Sequence, residues 1–392
     1  MQRLKDFFQR VGCLQIDSVS LIMFVYIILF VLTTAFALLS DKSYRPQIGL
    51  VSIVLLLSFV LGLRDFGVGT DTLVYPETYF TQAGLYDIFE IIWRDEGFDL
   101  GYMLLAYIAT FISSDSHSML FITELFIISM TVIGVWRLKQ ILNFYYCIYF
   151  LLYCLMFLNP SLNYMRQYCA VSILLIGFSF LLEQKWKEYS LFQIIAFFFH
   201  SSSLLFLIVP FFIVINNRTS VKVRNIIIVS FFAFVISSVI AFYEYLQLFS
   251  TLGLVSETYG ERYGEVSEFS GGNLYGPAYI LYILLNYTLL YYSYKMELMT
   301  RDNVFLAICL YTSSVIFFYT STYIVFLNRL ALFFDYIVIV YLAVMLSAKE
   351  IPVYFRGALL FLQIYLWARM YVIANSSETM PFTSEILGIG LS

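Results

Sequence analysis

Long apolar runs alternate with short polar connections along nearly the whole chain. The runs lie near 19–39, 47–63, 118–136, 144–158, 164–182, 225–246, 276–294, 303–320, 329–347 and 353–373. A helix needs about 20 apolar residues to cross a hydrocarbon core of roughly 30 Å. Each run is therefore a candidate span, and the shorter ones belong at thin or buried places. Two stretches break the pattern. The run 101–113 is too short to cross and is expected to be re-entrant or interfacial. Residues 187–222 are long for one helix and short for two, and His200-Ser201-Ser202-Ser203 sits near their middle. A hairpin of two short helices turning at His200 fits that length, although non-helical backbone at such depth survives only where protein or water covers it.

The polar connections set an orientation. Lys42, Lys139, Lys185, Lys187, Lys222, Lys295 and Lys349 all sit in short connections, and cytoplasmic loops carry the excess of Lys and Arg. The long connections are acidic instead. Residues 64–100 hold eight carboxylates against Arg64 and Arg94, 247–275 hold four Glu against Arg262, and 374–392 hold two Glu and no base. Those three stretches are expected outside. Placing Lys42 and Lys139 on one side requires an even number of crossings between them, which 47–63 and 118–136 supply. The same parity between Lys187 and Lys222 calls for the hairpin. Arg3, Lys5 and Arg10 argue for the opposite placement of the N-terminus; the acidic loop outside is preferred.

Composition narrows the class. The 392 residues are 61% hydrophobic and 12% charged, against roughly 25% charged in soluble domains, so the chain is a polytopic membrane protein. The 33 Tyr and 40 Phe fit interfacial aromatic belts, with room for sugar-stacking surfaces. No cleavable signal peptide is expected, because the run from Val19 to Leu39 is too long and lacks a small-residue cleavage site. The five Cys (13, 147, 154, 169, 309) show no metal-ligand spacing and read as small buried hydrophobes. No GxxxxGK loop occurs, which argues against an ATP-driven pump. No internal repeat is visible, and nothing points to nucleic acid.

The chemistry is concentrated in a sparse polar set. The apolar run ending at Leu63 gives way to Arg64, Asp65, Gly67, Gly69, Asp71 and Tyr75, a poor lipid-facing surface but a fit presenter of charge to a polar ligand. Arg166 follows Pro160 with Asn163 and Gln167 nearby, and Arg329 precedes Asp335 by six residues, off its helix face. Each arginine has a plain reading as a snorkelling anchor. Intramembrane ionisable groups are nonetheless functional candidates by default, since burying them without a partner is costly. None of the three has a carboxylate at helical spacing, so all are expected to face one shared outer cavity. Glu124, Glu244 and Arg369 read as anchors or structural partners. A lone His in an apolar run is most often structural, but His200 at a turn among serines is suited to take a proton from a hydroxyl; His117, in an exposed connection, is expected to be idle. Arginine forks bind phosphate oxygens bidentately and neutralise the charge on a departing diphosphate. No DxD-like pair occurs, so no obligatory metal and no cofactor are expected.

At these residues the chain resembles the EpsG family of Wzy-type polysaccharide polymerases. The resemblance rests on R-x4-G-T-D-x3-Y (Arg64, Gly69, Thr70, Asp71, Tyr75) and E-G-F (Glu96–Phe98). It continues in N-x2-R-Q (Asn163, Arg166, Gln167), F-H-S-S (Phe199–Ser202) and N-R with an aromatic pair (Asn328, Arg329, Phe333, Phe334). It runs from about residue 47 to the C-terminus. The charged N-terminus is longer than the family pattern, and two Phe replace the more usual Tyr-Phe after Arg329.

The resemblance implies a metal-independent, inverting glycosyltransferase of the bacterial inner membrane. It would join repeat units carried on undecaprenyl pyrophosphate at the outer face, with a chain-length regulator protein as a further partner. Carried over, Arg64, Arg166 and Arg329 would hold the pyrophosphate, with Tyr75, Asn163, Gln167 and Asn328 also at the substrate. His200 or Asp71 would be the base, and His200 is preferred because a carboxylate beside Arg64 is held ionised and weakly basic. The expected fold is all-α: one polytopic bundle over 1–392 of about 11–13 membrane segments, GT-C-like in character. The loop 64–117 and the hairpin 187–222 are set in it, with outer segments 247–275 and 374–392. A lipid-oligosaccharide flippase is the first rival, but it should show two related halves and short loops. A membrane acyltransferase is the second, but it usually wants a carboxylate paired with its His. A structural subunit needs no arginine cluster.

Overall fold

The computed structural model describes residues 18–72, 74–87, 89–90, 99–251, 276–321 and 327–389. Most of the 247–275 segment, Glu96–Phe98, Arg94 and the basic N-terminal residues lie outside that set, as does the side chain of Glu244. The described chain is all-helical, with no strands. Seven helices are long and apolar enough to cross a membrane, and three shorter apolar helices accompany them. This is a multi-pass membrane protein.

In chain order the helices are α1 (Ser18–Lys42), α2 (Pro46–Gly62), α3 (Val74–Leu85), α4 (Leu100–Ile112), α5 (His117–Ile141), α6 (Tyr146–Met156) and α7 (Met165–Leu182). There follow α8 (Trp186–Phe199), α9 (Ile208–Arg218), α10 (Val221–Thr251), α11 (Pro277–Lys295), α12 (Arg301–Thr320), α13 (Leu327–Ser347) and α14 (Val353–Trp367). Burial sorts them into layers. α7 and α13 are enclosed on nearly every side, whereas the spanning part of α10 has no buried residue. An apolar helix with no covered face presents that surface to lipid. α7 packs on α5 and α8, α12 on α13, and α2 on both α1 and α5.

Residues 187–222 fold back on themselves. α8 ends where His200 takes an extended conformation, and a 3-10 turn, Ser201–Leu207, leads into α9. Across this break Tyr189 donates to the Phe206 carbonyl at 3.5 Å and Gln193 to the Ser203 carbonyl at 2.9 Å. Both pairings bracket the turn, so the chain reverses there and the backbone polar groups at the break are met by protein.

The connections that carry lysine gather at one end of the bundle. Lys139 pairs with Asp41 beside Lys42, Arg137 with Glu183 beside Lys185, and Ser347 accepts from the Tyr145 backbone N–H. Asn216 donates to Asp302, which brings the end of α9 to the start of α12. Asp41 is the keystone of this end. Its two oxygens accept from Lys139 and from the backbone N–H groups of Tyr146 and Cys147 at 2.9–3.0 Å, so it caps α6 from another helix. Its side chain is only 4% exposed. Replacing Asp41 with Ala leaves two helix N-terminal donors unpaired and the Lys139 ammonium with the Phe144 carbonyl but no counter-charge, and is expected to cost about 1–3 kcal/mol. Thermal unfolding in detergent measures this, and an unchanged midpoint would contradict it.

Candidate functional site

The opposite end of the bundle is built around a loop that only glycine permits. Gly69 has φ of +100°, and a Cβ there would meet Asn163 Oδ1 at 2.6 Å and Thr72 Oγ1 at 2.7 Å. Left-handed backbone and close approach together demand glycine. The neighbouring Asp71 backbone N–H and Thr70 hydroxyl both point to Asn163 Oδ1 at 3.4 Å, and Thr72 donates to the Val68 carbonyl at 2.7 Å. The Gly-Thr-Asp turn is thus moulded onto the start of α7, which aims the Asp71 carboxylate at the pocket beside Arg329.

The C-terminal segment locks this arrangement. The stretch expected as an outer tail packs onto the loop. Asp65 and Gly69 donate through their backbone N–H groups to the Thr383 and Glu378 carbonyls, both at 2.9 Å. Tyr26 donates to the Thr379 carbonyl at 2.8 Å, and Asn159 bridges Thr379 Oγ1 and Trp367 Nε1, each at 2.9 Å. Thr379, Phe382 and Ser384 are fully buried.

One small pocket brings together most of the residues singled out from sequence. Asp71, Tyr75, Asn163, Arg166, Gln167, His200 and Arg329 all line it, with Tyr164 and Met165. Arg166 is held from two sides: Asp99 pairs with it at 2.6 Å, and Tyr75 lies under its guanidinium at 4.0 Å. Tyr79, one helical turn beyond Tyr75, accepts from Arg166 at 3.1 Å. Burial pushes the Asp99 carboxyl above the usual carboxylate range, against the pull of Arg166. Arg329 is the freer cation. Its side chain is 48% exposed, it lies over the Tyr164 ring at 4.6 Å, and its distance to Asp71 is 3.9 Å. Both arginines occupy the first turn of a long helix, α7 or α13, where the helix dipole adds positive potential. Two guanidinium groups and the Asp71 carboxylate thus meet at this pocket.

Three expectations change on contact with the structure. Arg64 does not join the other two arginines. It is fully buried, paired with Glu124 at 2.9 Å, and donates to the Leu61 and Leu162 carbonyls at 2.7 and 3.1 Å. Its partner lies 60 positions along the chain, so local spacing gave no sign of it. Glu124 is a structural partner, as its plain reading had it. Asn163 and Gln167 line the pocket but spend their amides on protein: Asn163 donates to the Ser377 carbonyl at 2.8 Å and Gln167 to the Arg329 carbonyl at 2.6 Å. They position the loop, the tail and α13. Asn328 lies apart from the pocket, on a larger cavity whose wall Arg329 also forms.

His200 Nδ1 accepts the Ser202 backbone N–H at 3.2 Å. The neutral ring therefore carries its proton on Nε2 and offers a donor rather than a lone pair. Burial, then the Arg166 and Arg329 charges, push this imidazole down to about 4. His117 is occupied by Asp115 at 2.9 Å. Among the described residues no three His, Cys, Asp or Glu side chains stand together as metal ligands. Sequence reading missed Asp99, Tyr79 and Tyr164. Tyr79 was within reach, because Tyr75 and Tyr79 sit four apart on one helix and share a face.

Fold and site define a multi-pass helical membrane protein with a small polar, arginine-lined pocket at the end remote from its lysine-bearing connections. A comparison with protein families matches residues 47–384 to the EpsG family. The chain belongs to that family of Wzy-like, polysaccharide polymerase-type membrane proteins. Comparisons with curated proteins and with solved structures return no match.

Proposed function

We propose that this protein is an inverting polysaccharide polymerase that joins repeat units carried on undecaprenyl pyrophosphate at the outer face of the bacterial inner membrane. The observation that carries the reading is the convergence of Asp71, Arg166, His200 and Arg329 on one pocket in an EpsG-family chain. Its position opposite the lysine-bearing end supports the outer face, because those connections belong in the cytoplasm.

Arg329 and Arg166 receive the diphosphate of the growing chain, with the N-termini of α7 and α13 behind them. Asp71 takes the proton from the acceptor hydroxyl. The oxygen so released attacks the anomeric carbon from the face opposite the diphosphate. The glycosidic bond forms as the carbon–oxygen bond to the diphosphate breaks, and the two arginines hold the charge that departs with it. His200 donates from Nε2 to a sugar or phosphate oxygen. This assignment reverses the preference for His200 as base, whose ground was a carboxylate beside Arg64. The arginine that Asp71 meets is instead the half-exposed Arg329 at 3.9 Å, a loose and partly solvated pair. Arg64 is taken by Glu124, and the His200 acceptor nitrogen is taken by Ser202.

Three measurements test the reading. Surface glycan from a deletion strain should carry single repeat units, seen by mass spectrometry; lipid-linked units accumulating on the cytoplasmic side would instead indicate a flippase. With purified protein, Asp71→Asn should lose about 10²–10⁴ in rate, as removal of a general base does. His200→Ala should lose about tenfold, the scale of one hydrogen bond. The reverse order would return the base to His200. The pH profile separates the two roles further. With its imidazole lowered to about 4, His200 stays neutral on the way down from pH 7, so no inflection near the ordinary 6.5 is expected. Because its folded value lies below its unfolded one, the stability tied to the neutral ring is present above about 6.5 and fades as pH falls toward 4.

A further inference from the structure

Beside the anion pocket lies a second, larger space that the proposed chemistry leaves unused. It has a volume of about 190 Å³, and Arg329 and Tyr164 line both spaces. A cavity of about 150 Å³ is enough to admit a six-membered ring. The walls are aromatic, with Tyr279, Tyr282, Tyr311 and Trp367 among them, yet Asp335 and Gln363 also face the cavity. Asp335 lies within α13, well inside the membrane-spanning part of the chain. Its carboxylate accepts one hydrogen bond, from Ser314 Oγ at 2.5 Å, and among the described residues no cation pairs with it. Gln363 Oε1 is buried with no hydrogen-bond partner. The cavity thus combines flat aromatic walls with a carboxylate that has a single donor and an amide oxygen that has none.

Such a lining fits few ligands. A polyprenyl tail brings no donors and would leave Asp335 and Gln363 unsatisfied, at a cost of several kcal/mol for a charge at that depth. A phosphate is poorly matched here, because the Asp335 carboxylate faces the cavity and the guanidinium on its wall, Arg329, also lines the smaller pocket, where Arg166 joins it. A pyranose has an apolar C–H face to lie on tyrosine rings and a rim of hydroxyl donors. Resting on the polymerase reading above, we infer that this cavity is a sugar subsite. It holds the ring adjacent to the diphosphate, with Asp335 and Gln363 accepting from its hydroxyls. Arg329 then stands at the junction between sugar and diphosphate, which explains why one side chain lines both spaces. The subsite selects which sugar can serve as the first residue of the repeat unit, because an axial and an equatorial hydroxyl cannot both reach Asp335.

The test uses the full-length protein in vesicles and a soluble probe, the repeat-unit oligosaccharide freed from its lipid carrier by mild acid and tagged with a diazirine. Photolabelling of the wild-type protein should place adducts in 277–295, 301–320, 327–347 and 353–367, helices that wall the cavity. Asp335→Asn and Tyr279→Ala should each weaken oligosaccharide binding about tenfold while leaving binding of inorganic pyrophosphate unchanged. Adducts confined to other segments would overturn the inference. So would an oligosaccharide affinity unaltered in both variants, or labelling of the cavity by diazirine-tagged undecaprenyl phosphate in place of the sugar. Elongation of lipid-linked units by the same wild-type preparation reports separately on the polymerase reading. Elongation with adducts elsewhere sinks the subsite alone, whereas failure to elongate sinks the function.

Discussion

Replacing Arg64 with methionine is expected to destabilise the fold by about 3–5 kcal/mol, the loss that follows removal of one partner from a buried ion pair. The guanidinium and the Glu124 carboxylate are both fully buried and 2.9 Å apart. Without the arginine, Glu124 stays in the protein interior with a charge and no counter-charge, the Leu61 carbonyl loses its side-chain donor, and the Leu162 carbonyl keeps only Thr72. Neither effect removes a charged group from the small pocket, so Arg64→Met should lower the melting temperature in detergent far more than the rate per folded molecule. The double variant Arg64→Met, Glu124→Leu should fall short of the summed single losses by about 1–3 kcal/mol, the coupling of residues in contact. Arg64→Met protein that melts like wild type but no longer elongates glycan would return Arg64 to the substrate, where the family resemblance places it.

The helices were legible because their signal is local. The apolar run 118–136 lies within α5, His117–Ile141; the run 164–182 became α7, Met165–Leu182; and 329–347 became α13, Leu327–Ser347. Hydropathy and length alone set such elements. The run 353–373 divides: α14 stops at Trp367 and a π-helical turn, Ala368–Ile373, completes it, a distinction apolar content does not carry. The site was legible in its members but not in its pairings. Asp71, Arg166, His200 and Arg329 stood out as polar residues in apolar surroundings, and one pocket collects them. Which arginine is structural and which faces the ligand depends on carboxylates far along the chain: Glu124 for Arg64, Asp99 for Arg166, Asp71 for Arg329. The same holds for the amides. Asn163 reads as a ligand residue until Ser377, 214 positions away, takes its N–H. An acidic, base-poor stretch after the last apolar run gave no hint that residues near Thr379 would pack under Tyr26 and Asn159.

Arg329 should show the reverse of the Arg64 result. Its side chain is half exposed and its nearest carboxylate, Asp71, is 3.9 Å away, a distance at which a partly solvated pair contributes little to folding. Arg329→Ala should therefore fold with a near wild-type melting temperature. Elongation should nonetheless fall by about 10²–10³, the loss typical when one preorganised donor to a developing anion is removed. Lysine should restore only part of this, because an ammonium supplies the charge without the planar fork that spans two phosphate oxygens. Arg166 is expected to be more sensitive to that exchange. Its guanidinium lies over the Tyr75 ring at 4.0 Å and binds Asp99 at 2.6 Å, so Arg166→Lys alters the ring contact as well as giving up a fork. Kinetics on purified variants should place the loss in kcat more than in KM, since charge on the diphosphate grows only as the bond breaks. Arg329→Ala protein that elongates at the wild-type rate would remove the diphosphate from this pocket.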